Sequence, residues 1–259
     1  MALILVAHGT RRPEGVAMIE RLAAQASSLV GHRVEVAFVD VLGPTPSEVL
    51  SRAIRTGRPA IVLPAFLSRG YHVRADLPAH VEQSGHPDVI VAPALGPSGQ
   101  VARLVGDQLV KCGWRPGDPV VLAAAGTSDA RARADLHTTA TLVSAVTGSR
   151  VGLGFAATAD PRLPEAVEGA RRHARRTGAR VVVASYLLAD GLFQERLQAC
   201  GADLVSAPLG THPGLARLIA DRFRRAVPPV LVPAARRASR RPGAQRFARG
   251  RIALPHPAA

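Results

Sequence analysis

Cysteine is nearly absent. Cys112 and Cys200 stand alone in 259 residues, without the paired spacing of a disulfide framework or a thiolate metal site. Aromatic residues make up 3% of the chain, so stacking platforms for single-stranded nucleic acid are scarce. No apolar run approaches the ~18 residues of a membrane span. The first apolar run has no basic lead and is too short for a signal peptide. Together these absences predict a cytoplasmic protein in a reducing compartment, with no membrane partner. Lysine is almost missing as well. Lys111 is alone, so the formal charge of +14 is carried by arginine. Acidic residues stop at Asp221, while Arg236, Arg237, Arg240, Arg241, Arg246, Arg249 and Arg251 follow. Residues 228–259 are rich in Pro, Arg and Ala without periodicity and are expected to form a disordered, solvated basic tail. Nucleic-acid contact is expected only nonspecifically, through that tail.

What is abundant is short apolar runs. Hydrophobic residues make up 47% of the chain. Leu3–Ala7, Val34–Val39, Ala60–Phe66 and Val89–Ala92 are continuous and rich in Val, Ile and Leu, as parallel strands covered on both faces should be. Amphipathic stretches alternate with them, at about Glu14–Leu29, Ser47–Thr56, Ala75–Ser84 and Gln100–Lys111. Then the pattern begins again, with strands expected at Val120–Ala124, Arg150–Gly154, Arg180–Ser185 and Asp203–Ala207. The repetition extends to letters. "LGPSGQVARLVGDQL" from Leu95 matches "LGTHPGLARLIADRF" from Leu209, and "AHGT" (Ala7–Thr10) is answered by "AAGT" (Ala124–Thr127). The sequence therefore predicts an α/β protein of two tandem similar domains, each a parallel sheet flanked by helices, with the active-site cleft between them. The boundaries expected are 1–116, 117–227 and the tail 228–259, with "WRPGD" (Trp114–Asp118) as the turn between halves.

In open parallel sheets, ligands bind beyond the carboxyl ends of the strands. In the first half, strand one ends on His8, strand two on Asp40, and strand three leads through "SRGY" to His72. Two imidazoles and a carboxylate suit Fe²⁺, Co²⁺, Ni²⁺ or Zn²⁺ better than Mg²⁺ or Ca²⁺, and three ligands leave positions open for a substrate. The second half lacks the set. Ala125 replaces His8, Leu192 or Phe193 replaces His72, and Ala157 or a neighbour replaces Asp40. The remaining histidines read as surface residues. Arg11 and Arg12 follow His8, and Arg69 and Arg74 bracket His72. These guanidiniums suit a substrate with several carboxylates, and Gly9-Thr10 could offer backbone N–H groups to an anion.

"LILVAHGTRRPEG" together with "IVLPAFLSRGYHVRADLP" resembles the sirohydrochlorin chelatases, the class II chelatases of sirohaem and cobalamin synthesis. The resemblance covers both halves, roughly residues 1–226. It implies insertion of a divalent metal into a polycarboxylate tetrapyrrole, with no organic cofactor. Fe²⁺ for sirohaem is the first expectation and Co²⁺ for cobalamin the alternative. His8 and His72 correspond to the family's metal-binding histidines. Asp40 stands where some members carry a longer glutamate. The expected roles are His8 and His72 as metal ligand and proton acceptor, undivided between them, with Asp40 as a further ligand. Thr10, Arg11, Arg12, Arg69 and Arg74 are expected to hold the substrate. The oligomeric state is not legible in the sequence, and a monomer is the starting expectation. A noncatalytic metal or tetrapyrrole carrier is the main rival. A histidine phosphatase is disfavoured, because Ala7 stands where its motif needs arginine.

Overall fold

The computed structural model describes residues 1–227; the tail expected at 228–259 lies outside the described residues. Two four-stranded parallel sheets are present. In the first, β1 (Ala2–Ala7) and β3 (Ala60–Pro64) are central, with β2 (Val34–Phe38) and β4 (Val89–Val91) at the edges. In the second, β5 (Val120–Gly126) and β7 (Val182–Ser185) are central, between β6 (Val151–Thr158) and β8 (Leu204–Val205). The order β2-β1-β3-β4 recurs as β6-β5-β7-β8. The expected duplication is therefore a duplication of topology.

Alternation along the central strands explains why both faces are apolar. Ala2, Ile4 and Val6 face one cluster with Val49, Leu50 and Ala53 of α2 (Pro46–Arg55) and Leu77 of α3 (Leu77–Ser84). Leu3, Leu5 and Ala7 face the other way. In the second sheet, Val121, Ala123, Val181 and Val183 meet α6 (Leu163–Ala174) and α7 (Leu192–Gln198). Val120, Leu122, Val182 and Ala184 face inward and join Leu3 and Leu5 in one continuous core. That shared core is filled by α1 (Pro13–Val30), α4 (Gly99–Lys111), α5 (Ala130–Thr147) and α8 (Pro213–Ala226).

The inner helices are exchanged. α4, at the end of the first half, packs on α5 and β7, while α8 packs on α1 and β3. The strongest letter repeat lies on these two helices, so its shared Leu and Ala positions serve one interface from both sides. Ala102, Leu104 and Val105 of α4 and Ala216, Leu218 and Ile219 of α8 are all buried. Tyr186, just past β7, also crosses. Its buried hydroxyl donates to the Leu67 carbonyl at 2.8 Å, and burial pushes its pKa up. His212 departs from the surface reading. It is buried, accepts from Gly214 N through Nδ1 to cap α8, and lies 3.4 Å from Asp107.

Two glycines explain "AHGT" and "AAGT". Gly9 and Gly126 have φ of +100° and +115°, where only glycine is unstrained. A Cβ on Gly9 would overlap the Asp40 carbonyl, and one on Gly126 the Thr158 carbonyl. The following threonines also match. Thr10 Oγ1 accepts from Arg12 N at 3.2 Å, and Thr127 Oγ1 from Asp129 N at 3.1 Å. These turns lead into α1 and α5 at equivalent positions, so they belong to the scaffold.

Candidate functional site

His8 continues the parity of Ala2, Ile4 and Val6 and stands at the carboxyl end of β1. Its backbone carbonyl accepts from Asp40 N at 3.0 Å, which holds the end of β2 alongside it. His72 begins a π-helical turn, His72–Asp76, that runs directly into α3. The two imidazole centroids are 4.4 Å apart, with ring planes at 82°. Phe66 stacks near His72 at 6.1 Å and exposed Tyr71 stands edge-on at 6.2 Å. The structure thus brings together two histidines 64 positions apart in sequence (8 and 72).

Each ring has one nitrogen tied. His8 Nδ1 lies 3.2 Å from the Gly9 carbonyl, and His72 Nδ1 lies 2.5 Å from Asp76 Oδ2. Both partners are acceptors, so either ring in its neutral form would place its proton on Nδ1 and leave the Nε2 lone pair free. Asp76 is the residue that the sequence reading missed. A carboxylate bound to the far nitrogen of an imidazole fixes its orientation and tautomer for work at the near one. The signal was the i,i+4 spacing of His72 and Asp76. It was obscured because the helix was expected to start only at Ala75.

Asp40 lines a cleft of about 460 Å³ with His72, Asp76, Tyr71 and His80. His80, read as a surface residue, therefore forms part of this wall, and its Nδ1 lies 3.3 Å from Ser47 Oγ. The Asp40 carboxylate accepts from Val41 N at 2.7 Å. Val41 has φ of +69°, a strained conformation for a β-branched residue. Among the described residues, no three His, Cys, Asp or Glu side chains are gathered as a ready metal cage. The histidine pair is assembled, and Asp40 stands beside it with its carboxylate turned to its own loop.

The expected arginine rim is engaged from the second half. Arg12 Nη1 and Nη2 donate to Glu195 at 2.5 and 3.3 Å. Arg69 donates to Asp135 through its backbone N, Nε and Nη2, at 2.8, 3.0 and 2.6 Å. Arg74 pairs with Asp129. Burial pushes the Asp135 carboxyl up, but the hydrogen bonds and charge of Arg69 outweigh it and hold the group below the usual carboxylate range. Asp129 is lowered by the Ala132 N–H and by Arg74, and Glu195 by Arg12. Thr10 and Arg11 line a separate cleft of about 1030 Å³ between α1 and β2. Its wall mixes Arg33 and Arg52 with Glu20 and Glu35.

Strand register resolves the equivalent positions. Leu3 pairs with Ile61 and Val120 with Val182, so Gly70 answers to Gly191, His72 to Phe193 and Arg74 to Glu195. The Thr158 carbonyl takes the place of the Asp40 carbonyl over its glycine. The second half thus has Ala125, Thr158 and Phe193 where the first has His8, Asp40 and His72.

The family model CbiX matches residues 2–112 and 119–226, most of the chain and both halves. The chain belongs to the CbiX family. Among curated CbiX-like relatives, the sirohydrochlorin cobaltochelatase of Methanopyrus kandleri is 34% identical over 80 residues, 30% of this chain and 56% of that protein. The chloroplastic sirohydrochlorin ferrochelatase of Arabidopsis thaliana is 32% identical over 117 residues, 42% of this chain and 52% of that one. The chain spans about half the length of the curated relatives it matches. The solved structure of SirB from Bacillus subtilis with Fe³⁺ superposes with a TM-score of 0.76 at 20% identity, covering 87% of this chain and 94% of that one. The CbiX described as the terminal enzyme of sirohaem biosynthesis in denitrifying bacteria gives 0.65 at 21% identity, covering 88% and 100%. These likenesses establish the CbiX fold. Among the described residues, no helix is long and apolar enough to cross a membrane.

Proposed function

We propose that the chain is a sirohydrochlorin chelatase, inserting a divalent metal into a polycarboxylate tetrapyrrole. The observation that carries this reading is the His8–His72 pair, with both Nδ1 atoms tied and both Nε2 atoms open at the end of the first sheet. The names of the curated relatives supply the substrate class. Fe²⁺ is the first metal to test and Co²⁺ the alternative.

The chemistry asks for two things. The ion must exchange its bound waters for four ring nitrogens, and two pyrrole N–H protons must leave. Two neutral imidazoles suit both needs. Their Nε2 lone pairs suit a borderline divalent ion without the stronger grip of a thiolate cage, and a ring that is not holding the ion offers its lone pair to a departing pyrrole proton. Asp40 stands where its carboxylate could join the ion after leaving Val41 N. Asp76 keeps the His72 ring aimed. Exposed Tyr71, Leu192 and Phe193 offer apolar edges at the strand ends of the two halves. The proposed seat of the macrocycle is the face beside these residues, next to the first-half cleft that Asp40, Tyr71 and His72 line.

The test is absorbance-monitored, anaerobic metal insertion into sirohydrochlorin, with Fe²⁺, Co²⁺ and Ni²⁺ compared under identical conditions. Turnover above the uncatalysed rate supports the reading, and the ranking of kcat/KM identifies the metal. Binding of metal and tetrapyrrole without turnover would instead identify a carrier.

A further inference from the structure

The two flanking ion pairs are related by the internal repeat. Arg12 and Asp129 occupy equivalent places, each two residues past a repeated threonine, and Arg74 and Glu195 occupy equivalent places in the other motif. In both pairs the first half supplies the arginine and the second half the acid. The pairs nevertheless differ in freedom. Asp129 caps α5, accepting from Arg131 N and Ala132 N through Oδ1, and its side chain is 16% exposed. Glu195 is 59% exposed, and among the described residues its carboxylate has Arg12 as its sole partner. One acid is built into a helix end; the other is held only by the arginine four positions after His8.

The geometry points to Glu195 as an internal competitor that occupies Arg12 in place of a substrate carboxylate. This rests on the proposed function and deepens it. Arg12 exchanges one carboxylate for another, so the charge-assisted bonds broken and formed are alike. A macrocycle without carboxylates cannot make that exchange and leaves Arg12 with Glu195. A polycarboxylate can, and its remaining acid groups add contacts elsewhere. Exposed ion pairs bias such an equilibrium by no more than about five-fold, so Glu195 yields readily to the right ligand. Asp129 holds its cap through Oδ1 and Arg74 through Oδ2, so it cannot swing aside as Glu195 can without uncapping α5.

The test measures binding of metal-free sirohydrochlorin by its fluorescence, together with KM and kcat, for the full chain and for E195Q, R12A and R12A/E195Q. Thermal melts confirm that each variant folds. The expected result is a two- to five-fold fall in Kd and KM for E195Q, with a smaller change in kcat, and loss of that gain when Arg12 is also removed. Unchanged or weaker binding by E195Q overturns the proposal. So does a gain that survives in the R12A background, since that would be a general charge effect. Failure of the functional reading would appear separately, as a wild-type chain that binds no tetrapyrrole, and the proposal would fall with it.

Discussion

The two halves share a topology and differ at the positions of His8, Asp40 and His72. Both have a glycine at positive φ beneath the next strand's carbonyl, a threonine-gated entry into the inner helix, and a last helix given to the other sheet. Only the first half has His8 and His72. The comparison separates what the fold requires from what the chemistry requires. Features present twice are scaffold, and features present once are candidates for function. By this criterion Gly9 and Thr10 lose their claim as an anion-binding pair, because Gly126 and Thr127 do the same work beside an alanine. Asp76 gains one, because its counterpart by the same register is Leu197, a buried core residue.

The largest effect expected on activity is at the histidines. H8A or H72A should lower metal insertion by about 10²–10⁴-fold, with little change in thermal stability, since these rings are outside the apolar cores. Restoring a histidine in the other half, as A125H in an H8A background, should recover nothing, because Phe193 offers no second imidazole there. Next comes D76N, which should cost about 10–100-fold in metal affinity or activity through the His72 ring it steadies. Competition of the variants for Co²⁺ followed by visible absorbance separates this from a folding defect.

Glycine substitutions sharpen the comparison from the scaffold side. G9A and G126A should each destabilise by more than about 1 kcal/mol, because both add strain at positive φ and a clash with a carbonyl. Thermal melts should show similar losses, while insertion by the folded fraction should fall more for G9A, which adjoins His8. A smaller effect is expected at the interface. R69A leaves the nearly buried Asp135 with a backbone donor alone and should cost about 1–3 kcal/mol. R12A should change stability little, since both partners of its pair are well exposed.

The same acids set a direction with pH. Asp135, Asp129 and Glu195 all have carboxyls held below their ordinary range in the folded chain. Their contribution is complete above the unfolded carboxylate values near ~4 and is lost as pH falls through the lower folded values. Acid melts should therefore steepen below about pH 4, and D135N should flatten part of that slope.

The fold was legible because parallel strands buried on both faces leave unbroken Val, Ile and Leu runs, and because duplication wrote them twice. The histidine pair was legible for the same reason, as an interruption in one copy. The helix exchange was not. An amphipathic stretch shows that one face is buried, not which sheet it covers, so α4 and α8 read as ordinary members of their own halves. The arginine partners were hidden by distance along the chain, 183 residues between Arg12 and Glu195, 66 between Arg69 and Asp135. Asp76 was hidden because a π turn has no periodicity of its own to read, although such turns often mark functional sites.

The claim that the first half alone carries the reaction is tested most directly by comparing insertion kinetics of H72A and F193A against the wild-type chain, with sirohydrochlorin and the preferred metal. The two changes strip equivalent positions of the two halves. H72A is expected to lose insertion almost completely, while F193A retains kcat with at most a modest rise in KM. Retained turnover in H72A, or an equal loss in both variants, would contradict it.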